Sequence, residues 1–274
     1  MKYSLLLGLL VSAEVFAWGA TGHRAVGEIA DAHLSPKAKI KLKMILKGES
    51  LAQAATWADE IKSEPDTYKD TFNWHYTDWP DEMKEHDEAH SSGKLLTSIN
   101  EQIAIIKNNE VSADKKKMAV RFLAHLVGDL HMPLHVGNGI DRGGNLCKVT
   151  FHNKTTNLHA LWDEGMIDQA RLSFSELSRF SSETKTLKDR RSAEEGSPTD
   201  WARESKNLRA GVYPDNVKPM KMNMSIKEYC VDGNVPAEQM PKLGYEYSYR
   251  FFPVLKDQIY QAGVRLALLL NQSL

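Results

Sequence analysis

Cysteine is scarce: the 274-residue chain holds two, Cys147 and Cys230. Their spacing offers no thiolate metal motif, so any metal would have to be held by oxygen and nitrogen. Surplus charge is also lacking. Thirty-five Lys and Arg stand against 36 Asp and Glu, a formal net charge of −1, which leaves no electrostatic footprint for gripping duplex nucleic acid by backbone charge alone. A phosphate-bearing substrate is not thereby excluded, because bound metals would make a site locally positive. The apolar run Leu5 to Val11 falls far short of the ~20 residues that a membrane span requires. No internal repeat or low-complexity linker divides the chain, and the strand signal is confined to Leu146–His152.

What is present is the composition of a soluble globular protein, 42% hydrophobic and 26% charged, with enough length to bury a sizeable core. Residues 1–17 read as a secretory signal: Lys2, the apolar run, then Val15-Phe16-Ala17 as a small-residue cleavage site. Cleavage there would make Trp18 the mature N-terminus, with 18–274 as one domain in a secreted or periplasmic compartment. In an exported chain a Cys147–Cys230 disulfide is the default expectation. Sequons stand at Asn153, Asn223 and Asn271.

Helical periodicity dominates. The pattern predicts a turn followed by a helix over Trp18–Leu34, and helices from Ser35-Pro36 to before Gly48 and over Leu51–Ile61. Further helices are expected over Leu95–Lys107 and Asp114–Leu130, and from Asn157, Ser175 and Ser197. Phe72–Trp79, Asp81–Gly93 and Gly137–Asn145 read as irregular, and Met220–Pro241 as a surface wrap. Leu243–Leu270 is apolar almost all round and belongs in the centre of the core. The fold class is therefore all-α, with at most a short β-hairpin.

The chemistry concentrates in Phe122–His135. His125 and Asp129, at i and i+4, lie about 40° apart on one helical face, while His131 falls about 240° from His125. Pro133 can end the helix and return His135 towards the pair. Taken alone, the stretch fits either a buried metal site or a core helix with satisfied polar groups. His159 and Asp163 repeat the same spacing, and two such pairs with His135 are unusual for satisfied core polar groups. Asp59 beside Trp57, His75 in an aromatic run, and His23 are further candidates. His33, His86, His90, His131 and His152 have no place in this set.

In order along the chain these residues resemble the zinc-dependent single-strand nucleases of the S1/P1 type. The matching elements are Trp18-Gly19 with His23, Trp57-Ala58-Asp59, Trp74-His75-Tyr76, His125-x3-Asp129-x5-His135, Gly143-Gly144-Asn145, and Asn157-Leu158-His159-x3-Asp163. They span Trp18 to Asp163, and the closing Ala262–Leu270 helix is similar as well. The resemblance implies three zinc ions. One would be held by Asp59, His75, His125 and Asp129, and a second by His135, His159 and Asp163. The third would use the amine and carbonyl of Trp18, His23 and a shared Asp129. It further implies Asp59 and Lys62 as catalytic groups, Tyr76 stacking a base, and Asp78 and Asn145 reading base edges. Arg142 departs from the pattern, standing where some members carry a small apolar wall, and could itself stack on a base. The expected activity is hydrolysis of single-stranded DNA and RNA to 5′-phosphate products, with 3′-nucleotides also dephosphorylated, by a monomer. The nearest rival is a zinc-dependent phospholipase C acting on phospholipid; a non-catalytic exported zinc-binding protein is the other.

Overall fold

Several helices begin where a capping side chain meets an apolar periodicity, as at Ser35, Ser50, Ser112, Asn157, Ser173, Thr186 and Ser197. The structure, a computed structural model, describes residues 18–216 and 225–274; the signal-peptide reading of 1–17 and the sequon at Asn223 lie outside the described residues. Helix α1 (Ala20–His33) buries Ala25, Val26, Ile29 and Ala30. In α2 (Pro36–Ile45) the Ser35 hydroxyl accepts from the Ala38 N–H at 3.2 Å and proline takes the first helical position, as expected.

The single helix expected over Leu51–Ile61 is instead broken into α3 (Leu51–Ala54), α4 (Trp57–Glu60) and a 3₁₀ turn at Ile61–Ser63. The break has a local cause. The Thr56 hydroxyl donates to the Gln53 carbonyl at 3.1 Å, a back-bond that competes with the helical ladder. The Asp59 N–H turns to the Thr56 carbonyl, leaving the Ala55 carbonyl to accept from His125 Nδ1 at 2.7 Å.

After α5 (Pro65–Tyr68), a 3₁₀ segment Lys69–His75 leads into β1 (Thr77–Asp78). Helices α6 (Leu95–Lys107) and α7 (Ala113–Leu130) follow and pack on one another. A 3₁₀ turn at Pro133–His135 then feeds β2 (Val136–Gly137), which runs parallel to β1 with Asp78 opposite Gly137. Strands β3 (Lys148–Phe151) and β4 (Lys154–Asn157) form the expected hairpin. The Asn157 side chain caps α8 (Leu158–Ala160), which widens into a π-turn at Leu161–Gly165 and continues as α9 (Met166–Ala170). Four more helices follow: α10 (Phe174–Ser182), α11 (Leu187–Ala193), α12 (Pro198–Val212) and α13 (Ile226–Tyr229). Strand β5 (Lys242–Leu243) adds to the hairpin parallel to β3, and α14 (Tyr245–Ser273) closes the described chain.

The architecture is mainly helical, with the hairpin supplemented by three two-residue strands. Helix α14 occupies the centre, as its all-round apolarity requires: Leu255, Ile259, Ala262, Val264, Leu266 and Leu270 are buried, and α1, α7 and α10 pack against it. Cys147 and Cys230 are disulfide-bonded, tying β3 to the segment that carries α13. Among the described residues no helix is long and apolar enough to cross a membrane.

One buried cation fastens α12 to the short parallel pair. Arg209, 1% exposed, donates to the carbonyls of Val136 and Trp79 and pairs with Asp81. Replacing it with leucine strands two buried carbonyls, so Arg209→Leu should lower stability by about 3 kcal/mol, read as a shifted urea midpoint.

Candidate metal centre and cleft

Helix α7 carries the centre into the core. His125 and Asp129, one turn apart and fully buried, meet side chains from three other elements. With Nδ1 committed to Ala55, His125 turns Nε2 to within 3.3 Å of Asp129 Oδ2 and 3.5 Å of Asp59 Oδ1. From the 3₁₀ segment, His75 Nδ1 comes to 3.1 Å from Asp129 Oδ2 and 3.8 Å from Asp59 Oδ1. From α1, His23 places Nε2 at 3.3 Å from Asp129 Oδ1, its ring stacked on His125 at 3.8 Å between centroids. Gly128 makes room for that stack, since a Cβ there would stand 2.8 Å from His23 Nδ1. Trp18 is fully buried against Gly22 of α1, and the following Gly19 N–H donates to the Asp163 carbonyl at 2.9 Å.

A second group lies beside the first. His159 donates from Nδ1 to the Gly143 carbonyl at 2.7 Å, and His135 from Nδ1 to the His75 carbonyl. Their Nε2 atoms then face Asp163, at 3.1 Å and 3.9 Å respectively. Asp163 lies in the middle of the π-turn and His159 just before it, an irregularity that recurs at functional sites. Gly143 carries φ +59°, and a Cβ there would stand 2.4 Å from the Leu134 carbonyl, so the turn that presents its carbonyl to His159 needs glycine.

The donor atoms fit metal ions. Nε2 of His23, His135 and His159, Oδ1 of Asp129 and both carboxylate oxygens of Asp163 are buried without a hydrogen-bond partner. Several approach one another closely yet without hydrogen-bond geometry, which means the lone pairs aim at common points between them rather than at each other. Backbone carbonyls fix three of the imidazoles from behind, as the outer partners of metal-binding histidines do. The titration behaviour agrees. Burial pushes His75 down to about 4 and His135 down to about 3, keeping both rings neutral with a free lone pair. Burial opposes ionisation of Asp129, but His125, His23 and His75 outweigh it and hold the carboxyl well below its ordinary range. Asp59 is likewise lowered against burial, by His125, Lys62 and His75. Burial wins at Asp163, which rises to about 7 because His159 offsets only part of the penalty. All donors are imidazole and carboxylate, which suits zinc.

Of the residues expected to act on substrate, all but Asp59 line one cleft of about 640 Å³; Asp59 lies behind Lys62 and does not line it. Lys62, His75, Tyr76, Asp78, His135, Arg142, Asn145 and His159 all line it. Lys62 Nζ pairs with Asp59 Oδ1 at 2.6 Å. The Tyr76 hydroxyl reaches the Ser92 carbonyl at 3.5 Å, and Asp78 accepts from the Ser92 hydroxyl. Asn145 is held at the end of the glycine turn by donating to the Arg142 carbonyl at 2.9 Å, and the Arg142 side chain stands in solvent, 4.0 Å from Asp232.

Sequence reasoning missed Phe72 and Ser92 on the cleft wall. It also missed Asp141, which accepts from the Gly144 N–H at 2.9 Å and from the Tyr213 hydroxyl at 2.6 Å, pinning the glycine turn. Tyr213 lies 72 residues away, and no spacing could have paired the two. His131 stays outside the centre, as expected: it donates to Val127 at 2.7 Å and accepts from Arg265 at 2.9 Å.

A helical chain in which His75, His135 and His159 line a substrate-sized cleft, with buried carboxylates behind them, has the build of a metal-dependent hydrolase. The sequence pattern of the S1/P1 Nuclease family matches residues 18–274, and the chain belongs to that family. It is 30% identical to Endonuclease 3 of Arabidopsis thaliana over 98% of this chain and 92% of that protein. Identity to Nuclease S1 of Aspergillus oryzae is 27%, covering 94% and 92%. Nuclease P1 of Penicillium citrinum is 32% identical over 54% of this chain and 58% of its own. Zinc dependence is a property of the family.

The raised Asp163 generates a prediction. A carboxyl whose folded pKa exceeds its unfolded value costs stability as pH rises from about 4 through about 7. In chelator-treated protein Asp163→Asn should therefore be more stable than wild type at pH 8, the gap closing as pH falls towards 4. Urea melts across that range measure it; a gap independent of pH contradicts the assignment.

Proposed function

We propose that this chain is an exported endonuclease on single-stranded DNA and RNA that leaves 5′-phosphates, and a 3′-nucleotidase, working with three zinc ions. The observation that carries the reading is a cluster of unpartnered buried donor atoms that reaches, through His75, His135 and His159, a cleft whose walls bear Tyr76, Asp78 and Asn145. Asp59, His75, His125 and Asp129 would hold one ion, His135, His159 and Asp163 a second, and Trp18 with His23 and a shared Asp129 the third. When bound, zinc lowers the pKa of a coordinated water towards neutrality and draws charge from phosphoryl oxygens.

The chain's own residues do the rest. Asp59 stays ionised because its pKa is lowered, so it can hold the attacking water by accepting its hydrogen bond. Lys62 stands at the cleft 2.6 Å from that carboxylate, and its ammonium offsets the charge that builds on the phosphorus oxygens as the P–O3′ bond breaks. Tyr76 stacks the base of the departing nucleoside, while Asp78 and Asn145 meet its edges. Arg142 provides an exposed second wall and alters base preference. Single strands are required because the donor atoms are buried, so a phosphate reaches them only when its base is splayed into the cleft.

Residues 1–17 act as a signal peptide, 18–274 form the nuclease domain, and the protein works as a monomer. The disulfide is consistent with an oxidising destination.

Two outcomes follow. Protein retaining Met1, or a tag ahead of Trp18, should lose most activity against a single-stranded oligonucleotide relative to protein beginning at Trp18; equal activity refutes the N-terminal ligand. Asp59→Asn should lower turnover on the same substrate by about a thousandfold. The test of the reading as a whole is end-group analysis of the products, run beside a phosphatidylcholine assay. 5′-Phosphate ends from single strands support it. Diacylglycerol release without nucleic-acid cleavage overturns it in favour of a phospholipase C.

A further inference from the structure

The cleft wall carries one aromatic ring that the reading above leaves without a role. Phe72 lies in the 3₁₀ segment Lys69–His75, three residues before His75. With three residues per turn, the two side chains project from the same face, roughly 6 Å apart along the axis. Among the aromatics of Phe72–Trp79, Trp79 is fully buried and Trp74 packs on Phe122 at 4.8 Å between ring centroids, whereas Phe72 is 38% exposed. It opens into the same cleft as Lys62 and His75. An apolar ring of this size left in water at the mouth of a site invites a flat partner.

The order of the chain settles which partner. His75 is flanked on one side by Phe72, one 3₁₀ turn earlier. On the other side the backbone becomes extended at Tyr76 (φ −146°, ψ 165°) and enters β1, which carries Asp78. Tyr76 and Asp78 belong to the slot for the nucleoside that departs with its O3′. A phosphodiester over His75 has a second nucleoside, the one that keeps the phosphate on its 5′ oxygen, and this must extend away from that slot. We propose that Phe72 stacks the base of this downstream nucleotide, making it a specificity-determining residue for chains over mononucleotides. The inference rests on the nuclease reading of the site.

A 3′-mononucleotide has a departing nucleoside and no downstream one, so it separates the two positions. The experiment compares wild type, Phe72→Ala and Phe72→Trp on adenosine 3′-monophosphate and on the dinucleotide ApA, with unfolding midpoints as the control for folding. Phe72→Ala should lower kcat/KM for ApA about tenfold, chiefly through KM, as loss of one base stack does. Its kcat/KM for adenosine 3′-monophosphate should be unchanged, and Phe72→Trp should keep or improve activity on ApA. Equal losses on both substrates would assign Phe72 to holding His75 in place and overturn the proposal, as would no loss on either. If wild type hydrolysed neither substrate, the nuclease reading itself would fall, an outcome distinct from both.

Discussion

Three carboxylates, Asp59, Asp129 and Asp163, stand within one buried cluster of imidazoles, and the rest of the fold is arranged around the cost of placing them there. Isolated buried carboxylates would shift and neutralise. Here two are kept ionised by surrounding histidines and Lys62, and one is driven to about 7. The remaining imbalance, together with donor atoms that bond to nothing, is what cations of zinc's chemistry resolve. The cluster would be a liability in a core without metal, and its side chains come from α1, α4, α7 and α8 together.

The irregularities of the backbone follow from the same requirement. A metal-binding histidine needs its second nitrogen satisfied, and three of them use main-chain carbonyls: Ala55 for His125, His75 for His135, and Gly143 for His159. A carbonyl engaged in a regular helix cannot serve. The chain accordingly breaks between α3 and α4 at Ala55, adopts 3₁₀ geometry into His75, and turns through positive φ at Gly143. These breaks look like defects in secondary structure and function as the outer supports of the centre.

This explains what could be read from the sequence. The long helices were legible because their apolar spacing and caps are local, as at Ser35 and across Leu255–Leu270. The paired His/Asp spacings on α7 and at α8 were legible for the same reason. The use made of the break at Ala55 was not, because the carbonyl it frees meets a histidine 70 residues away. Nor was the role of Asp141, whose partners Gly144 and Tyr213 meet only in the fold. The grouping of His23 with Asp129 came from resemblance alone; spacing could not have joined α1 to α7. Phe72 was visible as an aromatic, but its exposure depends on packing that leaves Trp74 covered and Phe72 open.

In the proposed centre one buried hub, Asp129, would join two metal positions while His135, His159 and Asp163 would serve a third. Anomalous diffraction at the zinc absorption edge, on crystals of protein beginning at Trp18, tests it directly. The account predicts three peaks: two flanking Asp129 and one among His135, His159 and Asp163. A single peak, or none beside Asp129, would contradict it.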